Sequence, residues 1–190
     1  MIAIDDRTDH HVLRTAFGCF PSGVTVVAAL SAESPVGMTV SSFTSVSFDP
    51  PLVSICVRRS STTWARLRPA GAIGVSVLGA HQADVCRALA APGDDRFTGL
   101  AVETTPRGAV FVPGATAWLE CTVHDTVPAG DHELVLLRVL GVDAGPDRSP
   151  LVFHSSGLHS LHSTTGPTVS GPGEATQPRQ PRQPRQHGAA

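Results

Sequence analysis

The hydrophobic and polar positions along the chain predict more strands than helices. The first predicted element is a helix, because Leu13, Phe17 and Phe20 fall at i, i+4 and i+7. Asp6 or Thr8 could cap its N-terminus. Two further helices are predicted, near residues 60–67 and over 81–91. Apolar, β-branched runs of strand length cover residues 24–30, 52–57, 71–79, 115–123, 132–142 and 150–154. Because the connections are short and the two element types do not alternate regularly, we expect a β-barrel with a few helices.

Two hydroxyl-rich segments lie on either side of the predicted strand 52–57. One is the stretch 37–51, GMTVSSFTSVSFDPP, and the other is RRSSTT at 58–63. Small side chains let backbone N–H groups reach a flat polar ligand, and hydroxyls with an arginine, Arg58 or Arg59, suit a phosphate. A single ligand could then place its ring near 38–42 and its phosphate near 60–63. Alternatively, Ser60 or Ser61 only caps a helix.

Composition and charge favour one globular domain. The chain has 190 residues, of which 41% are hydrophobic, and a formal net charge of −2 with a pI near 6.5. This balance argues against nucleic acid and anionic membranes as partners. No signal-peptide core and no run of about 20 apolar residues is present, so we expect a cytoplasmic protein.

Several common site motifs are missing from the sequence. The four cysteines lack CxxC spacing and the nine histidines form neither HxxxH nor HExxH, so no metal site is predicted. GxSxG, GxGxxG and GxxxxGK[ST] are also missing. The composition changes near Ser163 to a Gly/Pro-rich tail ending in PRQ repeats, which predicts a folded domain over 1–162 and a disordered tail over 163–190.

The order and spacing of five motifs resemble one family. PSGVTVV, GMTVSSFTSVSFDPPLVSICV, RRSSTTW, GDDRF and AGDH together resemble the flavin reductase-like proteins, the small reductase components of two-component flavin-dependent monooxygenases. The resemblance covers roughly residues 7–161 and implies an FMN-binding split β-barrel. It also implies a homodimer with a flavin site near the interface.

The resemblance implies the roles of individual residues. His132, in AGDH, would position the nicotinamide. The phosphate would be received by Ser60, Ser61, Thr62 and Thr63. The flavin ring would be lined by Gly37, Met38, Thr39, Val40, Ser41, Ser42, Ser54, Ile55 and Cys56, with Arg96 and Phe97 approaching it. Two positions depart from the family: Leu137 replaces a usual glycine and His159 a common tyrosine, which affects nicotinamide stacking more than flavin binding.

The activity that follows is hydride transfer from NADH or NADPH to FMN or FAD, with reduced flavin diffusing to a partner monooxygenase. Two alternatives keep the same barrel. In one, tightly bound FMN serves an oxidase that acts on its own substrate. In the other, the protein binds flavin without turnover.

Overall fold

The computed structural model describes residues 10–93 and 95–161, and these form a mainly β structure with three α-helices. The helices are α1 (His10–Gly18), α2 (Thr62–Leu67) and α3 (Ala83–Ala90), the last preceded by a 3-10 turn at Ala80–Gln82. The strands are β1 (Ser22–Gly23), β2 (Thr25–Ser31), β3 (Ser34–Val40), β4 (Thr44–Phe48), β5 (Pro51–Arg58), β6 (Ile73–Val77), β7 (Glu103–Thr104), β8 (Val110–Phe111), β9 (Ala117–Ala129), β10 (His132–Ala144), β11 (Leu151–His154) and β12 (Gly157–Ser160).

One antiparallel sheet of seven strands forms the body of the protein, in the order β3-β2-β6-β9-β10-β5-β4. Its two edge strands, β3 and β4, are consecutive in the sequence and are joined by residues 41–43 alone. If the sheet were flat, six spacings of about 4.8 Å would separate these edges by about 29 Å. The connection spans at most about 14 Å. The sheet therefore has to curl into a barrel, which confirms the predicted architecture.

The alternating side chains of β2 contribute to two separate cores. Val27 and Ala29 face the barrel interior, together with residues of β3, β5, β6, β9 and β10 and with Trp64 and Leu67 of α2. Val26 and Ala28 face the second core, which is built with α3, β8 and β11. Because both faces are covered, this strand reads as a continuous apolar run.

Some predicted boundaries change in the structure. The polar residues SAESP (31–35), which follow the predicted strand 24–30, contain only a two-residue turn at Ala32–Glu33, because Ser34 and Pro35 already belong to β3. Strand β9 extends through Ala129, so the hairpin to β10 turns on two residues only. Pairing of these edge residues with a neighbouring strand, which the local pattern does not encode, explains both differences.

Two other expectations concern the ends of the chain. The apolar spacing that predicted a helix at the start of the chain does not produce a buried helix face, since the side chains of Phe17 and Phe20 are 71% and 76% exposed. The proposed caps Asp6 and Thr8 and the predicted tail 163–190 lie outside the described residues. Among the helices of the described residues, none is long and apolar enough to cross a membrane.

Candidate functional site

A cavity of about 520 Å³ opens between β3 and β5, at the place where the chain crosses from one edge of the sheet to the other. This volume is within the range of small-molecule sites in proteins. Five parts of the chain line the cavity: residues 38–42, 56–58 and 60–63, with Arg96 and His132. The structure thus brings together the two hydroxyl-rich segments that the sequence singled out.

The hydroxyl cluster at 60–63 covers the end of the turn between β5 and α2 and the first two residues of α2. Ser61 is the N-cap of α2, because its Oγ accepts a hydrogen bond from the Trp64 N–H at 3.1 Å. The same hydroxyl lies 3.9 Å from the Met38 sulfur. Capping, the simpler of the two interpretations of this segment, is therefore observed for Ser61. Its neighbours in the cluster still line the cavity.

Arg96 brings a guanidinium group to the same end of the cavity. Its Nη1 donates to the Thr63 hydroxyl at 3.4 Å. Its Nε is buried and has no hydrogen-bond partner within the described part of the chain. Buried N–H groups are nearly always paired in native proteins, so the Arg96 Nε lacks an acceptor that the described residues do not supply.

Arg58 and His132 stand side by side on the facing wall. They are paired across the ladder between β5 and β10, and both line the cavity. The next residue, Arg59, is turned away, because its guanidinium donates to the Gly130 carbonyl at 3.3 Å. Of the described residues that line the cavity, none carries a carboxylate. The site therefore suits an anionic ligand.

The His132 ring is held by a neighbouring carboxylate. Nδ1 lies 2.7 Å from Asp131 Oδ1, and since an ionised carboxylate only accepts, Nδ1 is the donor. This hydrogen bond, with the charges of His132 and Arg58, lowers the pKa of the Asp131 carboxyl. The interaction is therefore complete above the ordinary carboxyl pKa and is lost as the pH falls through the lowered value. Nε2 is the ring nitrogen left for a ligand.

Four residues predicted to contact the ligand do not line the cavity. Ile55 is fully buried in the barrel core, because side chains alternate along β5 and Ile55 points away from the face of Cys56. Ser54 is buried beside β4. Phe97 belongs to the second core, and it packs over Gly37.

The position of Gly37 has a steric explanation. A Cβ atom there would lie 2.7 Å from the Ala28 Cβ, 2.7 Å from the Val27 carbonyl oxygen and 2.9 Å from the Phe97 ring. Glycine therefore allows Phe97 to pack closely on β3, one residue from Arg96. Its contribution to the cavity is indirect.

Two further residues line the cavity: Arg58, which the sequence offered only as an alternative to Arg59 for the phosphate, and Val57. Arg58 shares the β5 face of Cys56, so period-two alternation could have selected it over Arg59. Val57 has a buried apolar side chain and gave no such signal. The two departures from the family pattern lie elsewhere. Leu137 is buried in the barrel core, and His159 sits edge-on to His154 with ring centroids 6.1 Å apart.

Comparison with known proteins gives a consistent result. Residues 17–162 match the family of flavin reductase like domains. A flavin reductase of Pseudomonas putida is 37% identical over 150 residues, which cover 78% of this chain and 88% of that protein. The flavin-dependent monooxygenase reductase subunit HsaB of Rhodococcus jostii (strain RHA1) is 31% identical over 152 residues, covering 80% of this chain and 76% of that one.

A solved structure shares the fold. It is that of the Streptomyces globisporus C-1027 NADH:FAD oxidoreductase SgcE6 in complex with NAD and FAD fragments. The TM-score is 0.77 at 35% sequence identity, and the match covers 89% of this chain and all of that one.

Proposed function

The chain belongs to the family of flavin reductase like domains, and from this premise we propose that it reduces FMN or FAD with NADH or NADPH. The observation that carries the proposal is the anion-binding end of the cavity. There, an unpartnered buried Nε of Arg96 lies beside the hydroxyls of 60–63, with no carboxylate among the described lining residues. A flavin phosphate supplies the acceptor that this end lacks.

The residues present fit a flavin along the length of the cavity. Ser60, Thr62, Thr63 and Arg96 would hold the phosphate, and Arg58 adds a second guanidinium. The phosphate assignment rests on these side chains, because α2 has six residues and is too short for its dipole to count for much. Backbone groups of 38–42 would meet the polar edge of the ring system. The small side chains of Thr39, Ser41 and Ser42 leave room for that approach.

His132 is proposed to position the nicotinamide. Two observations support this role: its ring lines the cavity opposite β3, and Asp131 fixes its orientation with Nε2 free. When bound, the flavin accepts a hydride from the reduced nicotinamide. The chain's own task is then to hold two planar ligands at reactive separation and to exclude water from between them.

One relative is the reductase subunit of a flavin-dependent monooxygenase, and we propose that this protein releases its reduced flavin to a partner oxygenase. Flavin is then a substrate as much as a cofactor. An oxidase with its own substrate, or a binding protein without turnover, would use the same cavity differently.

We also propose a homodimer. Phe17 and Phe20 are mostly exposed and line a groove of about 800 Å³ that reaches Ser41 and Ser42 at the edge of the ligand cavity. Exposed aromatic side chains grouped in this way mark an interaction surface. A second copy seated there would lie next to the bound flavin.

NADH oxidation by the purified protein tests the activity. We expect turnover, followed at 340 nm, to depend on added flavin and to saturate with it. Comparing FMN, FAD and riboflavin then gives the flavin preference. Stoichiometric flavin retained through purification, with slow NADH oxidation, would favour the oxidase. Flavin binding with no NADH oxidation would favour the third possibility, a protein that binds flavin without turnover.

The arginine pair 58 and 59 provides a matched test of the phosphate site. Arg58→Gln should weaken FMN binding about tenfold, since a hydrogen bond to a charged group contributes roughly 1.5–3 kcal/mol. Riboflavin, which has no phosphate, should bind both proteins alike. Arg59→Gln is the control and should change neither affinity. Flavin fluorescence titration gives the affinities, and equal losses for FMN and riboflavin in the Arg58 variant would contradict the assignment.

Sedimentation velocity tests the dimer. A particle of twice the 19.7 kDa of the chain is expected. Replacing Phe17 and Phe20 together with serine should shift the distribution towards monomer, because the apolar surface that drives association is removed. A monomer at all concentrations of the unmodified protein would overturn the proposal.

A further inference from the structure

We propose that Ser42 is a positioning residue, whose hydroxyl braces the connection between β3 and β4 against β5 and thereby fixes the two walls of the flavin cavity. The inference rests on the proposed function, and it changes the role predicted for this serine. The resemblance implied that Ser42 lines the flavin ring, in a segment whose backbone and hydroxyl groups bond to it. The structure assigns that hydroxyl to the protein itself.

Both hydrogen bonds of the Ser42 side chain go to one residue of β5. Its Oγ accepts from the Cys56 N–H at 2.8 Å and donates to the Cys56 carbonyl at 3.2 Å. A hydroxyl has one donor and two acceptor sites. One acceptor site therefore remains, and no donor is left for a flavin oxygen or ring nitrogen.

The register of the sheet explains why the serine is needed at this position. Thr44 of β4 pairs with Ser54 of β5, so continuing the antiparallel ladder places Ser42 opposite Cys56. At that point the chain is crossing from β3 to β4 and has not yet entered β4, which begins only at Thr44. The serine hydroxyl takes the place of the backbone partner that Cys56 would otherwise lose. The ladder is thus extended by a side chain.

This brace lies at the junction of the two cavity walls. Residues 38–42 form one wall and residues 56–58 the other, and Ser42 and Cys56 both line the cavity. The preceding serine is different: Ser41 is exposed, and its side chain makes no hydrogen bond within the described residues. Ser41 is therefore free to contact a ligand, while Ser42 sets the distance between the walls.

Amide exchange tests the brace directly, in protein without flavin or NADH. The Cys56 amide should be protected in the unmodified protein although the residue is exposed, because its N–H is bonded to Ser42. Residue-resolved NMR exchange should show this amide exchanging about tenfold faster or more in Ser42→Ala. Amides of β6 serve as the internal reference. Ser42→Thr keeps the hydroxyl and should keep the protection, and Ser41→Ala should leave it unchanged.

Flavin binding tests the positioning role. Ser42→Ala should weaken FMN and riboflavin affinities equally, by about tenfold, because the ring walls and not the phosphate end are disturbed. Ser42→Thr should recover most of this loss. Fluorescence titration separates this pattern from that of Arg58→Gln, which affects FMN alone.

Three results would overturn the proposal. The first is fast exchange of the Cys56 amide in the unmodified protein, a measurement that stands even if Ser42→Ala does not fold. The second is weaker flavin binding in Ser42→Ala with unchanged Cys56 exchange, which would make Ser42 a direct ligand. The third is faster exchange with unchanged flavin affinity. Absence of NADH oxidation in the unmodified protein would instead count against the reductase assignment. The two tests of Ser42 are independent of that result, because neither amide exchange nor flavin titration uses NADH.

Discussion

The three-residue connection between the two edges of the sheet is the constraint on which the rest of the structure depends. Seven antiparallel strands cannot stay flat when their outermost members are joined by residues 41–43. Closing the barrel brings the end of β3 against β5, which share no ladder, and a cavity remains along the line where they meet. The ligand site is therefore a product of the topology, and Ser42 is the side chain that bridges Cys56 there.

The cavity receives its chemistry from residues at the ends of strands. Arg58 ends β5, His132 begins β10, and the hydroxyls of 60–63 follow in the next turn. Arg58 and His132 form the last pair of the β5–β10 ladder, and both line the cavity, while the strand interiors fill the two cores. With two guanidiniums and no described carboxylate along its lining, the cavity favours a phosphorylated ligand such as a flavin nucleotide.

The sequence could predict most of the strands and the two hydroxyl-rich segments, because both signals are local. It also placed Met38, Cys56 and His132 in one site, through the order of the motifs. The sequence says less where tertiary packing decides. Alternation along β5 turns the Ile55 side chain into the core, and Phe97 packs over Gly37. The sequence alone could not show that the Ser42 hydroxyl bonds to the protein, because its partner Cys56 comes close only in the folded structure.

Peptide-resolved hydrogen–deuterium exchange with and without FMN tests the central claim, that flavin binds along the line where β3 meets β5. The account predicts that FMN slows exchange in peptides covering 38–42 and 56–63. Peptides at the distant groove lined by Trp118 and Arg148 should be unchanged. Protection at that groove, or no protection at 38–42 and 56–63 under saturating FMN, would contradict it.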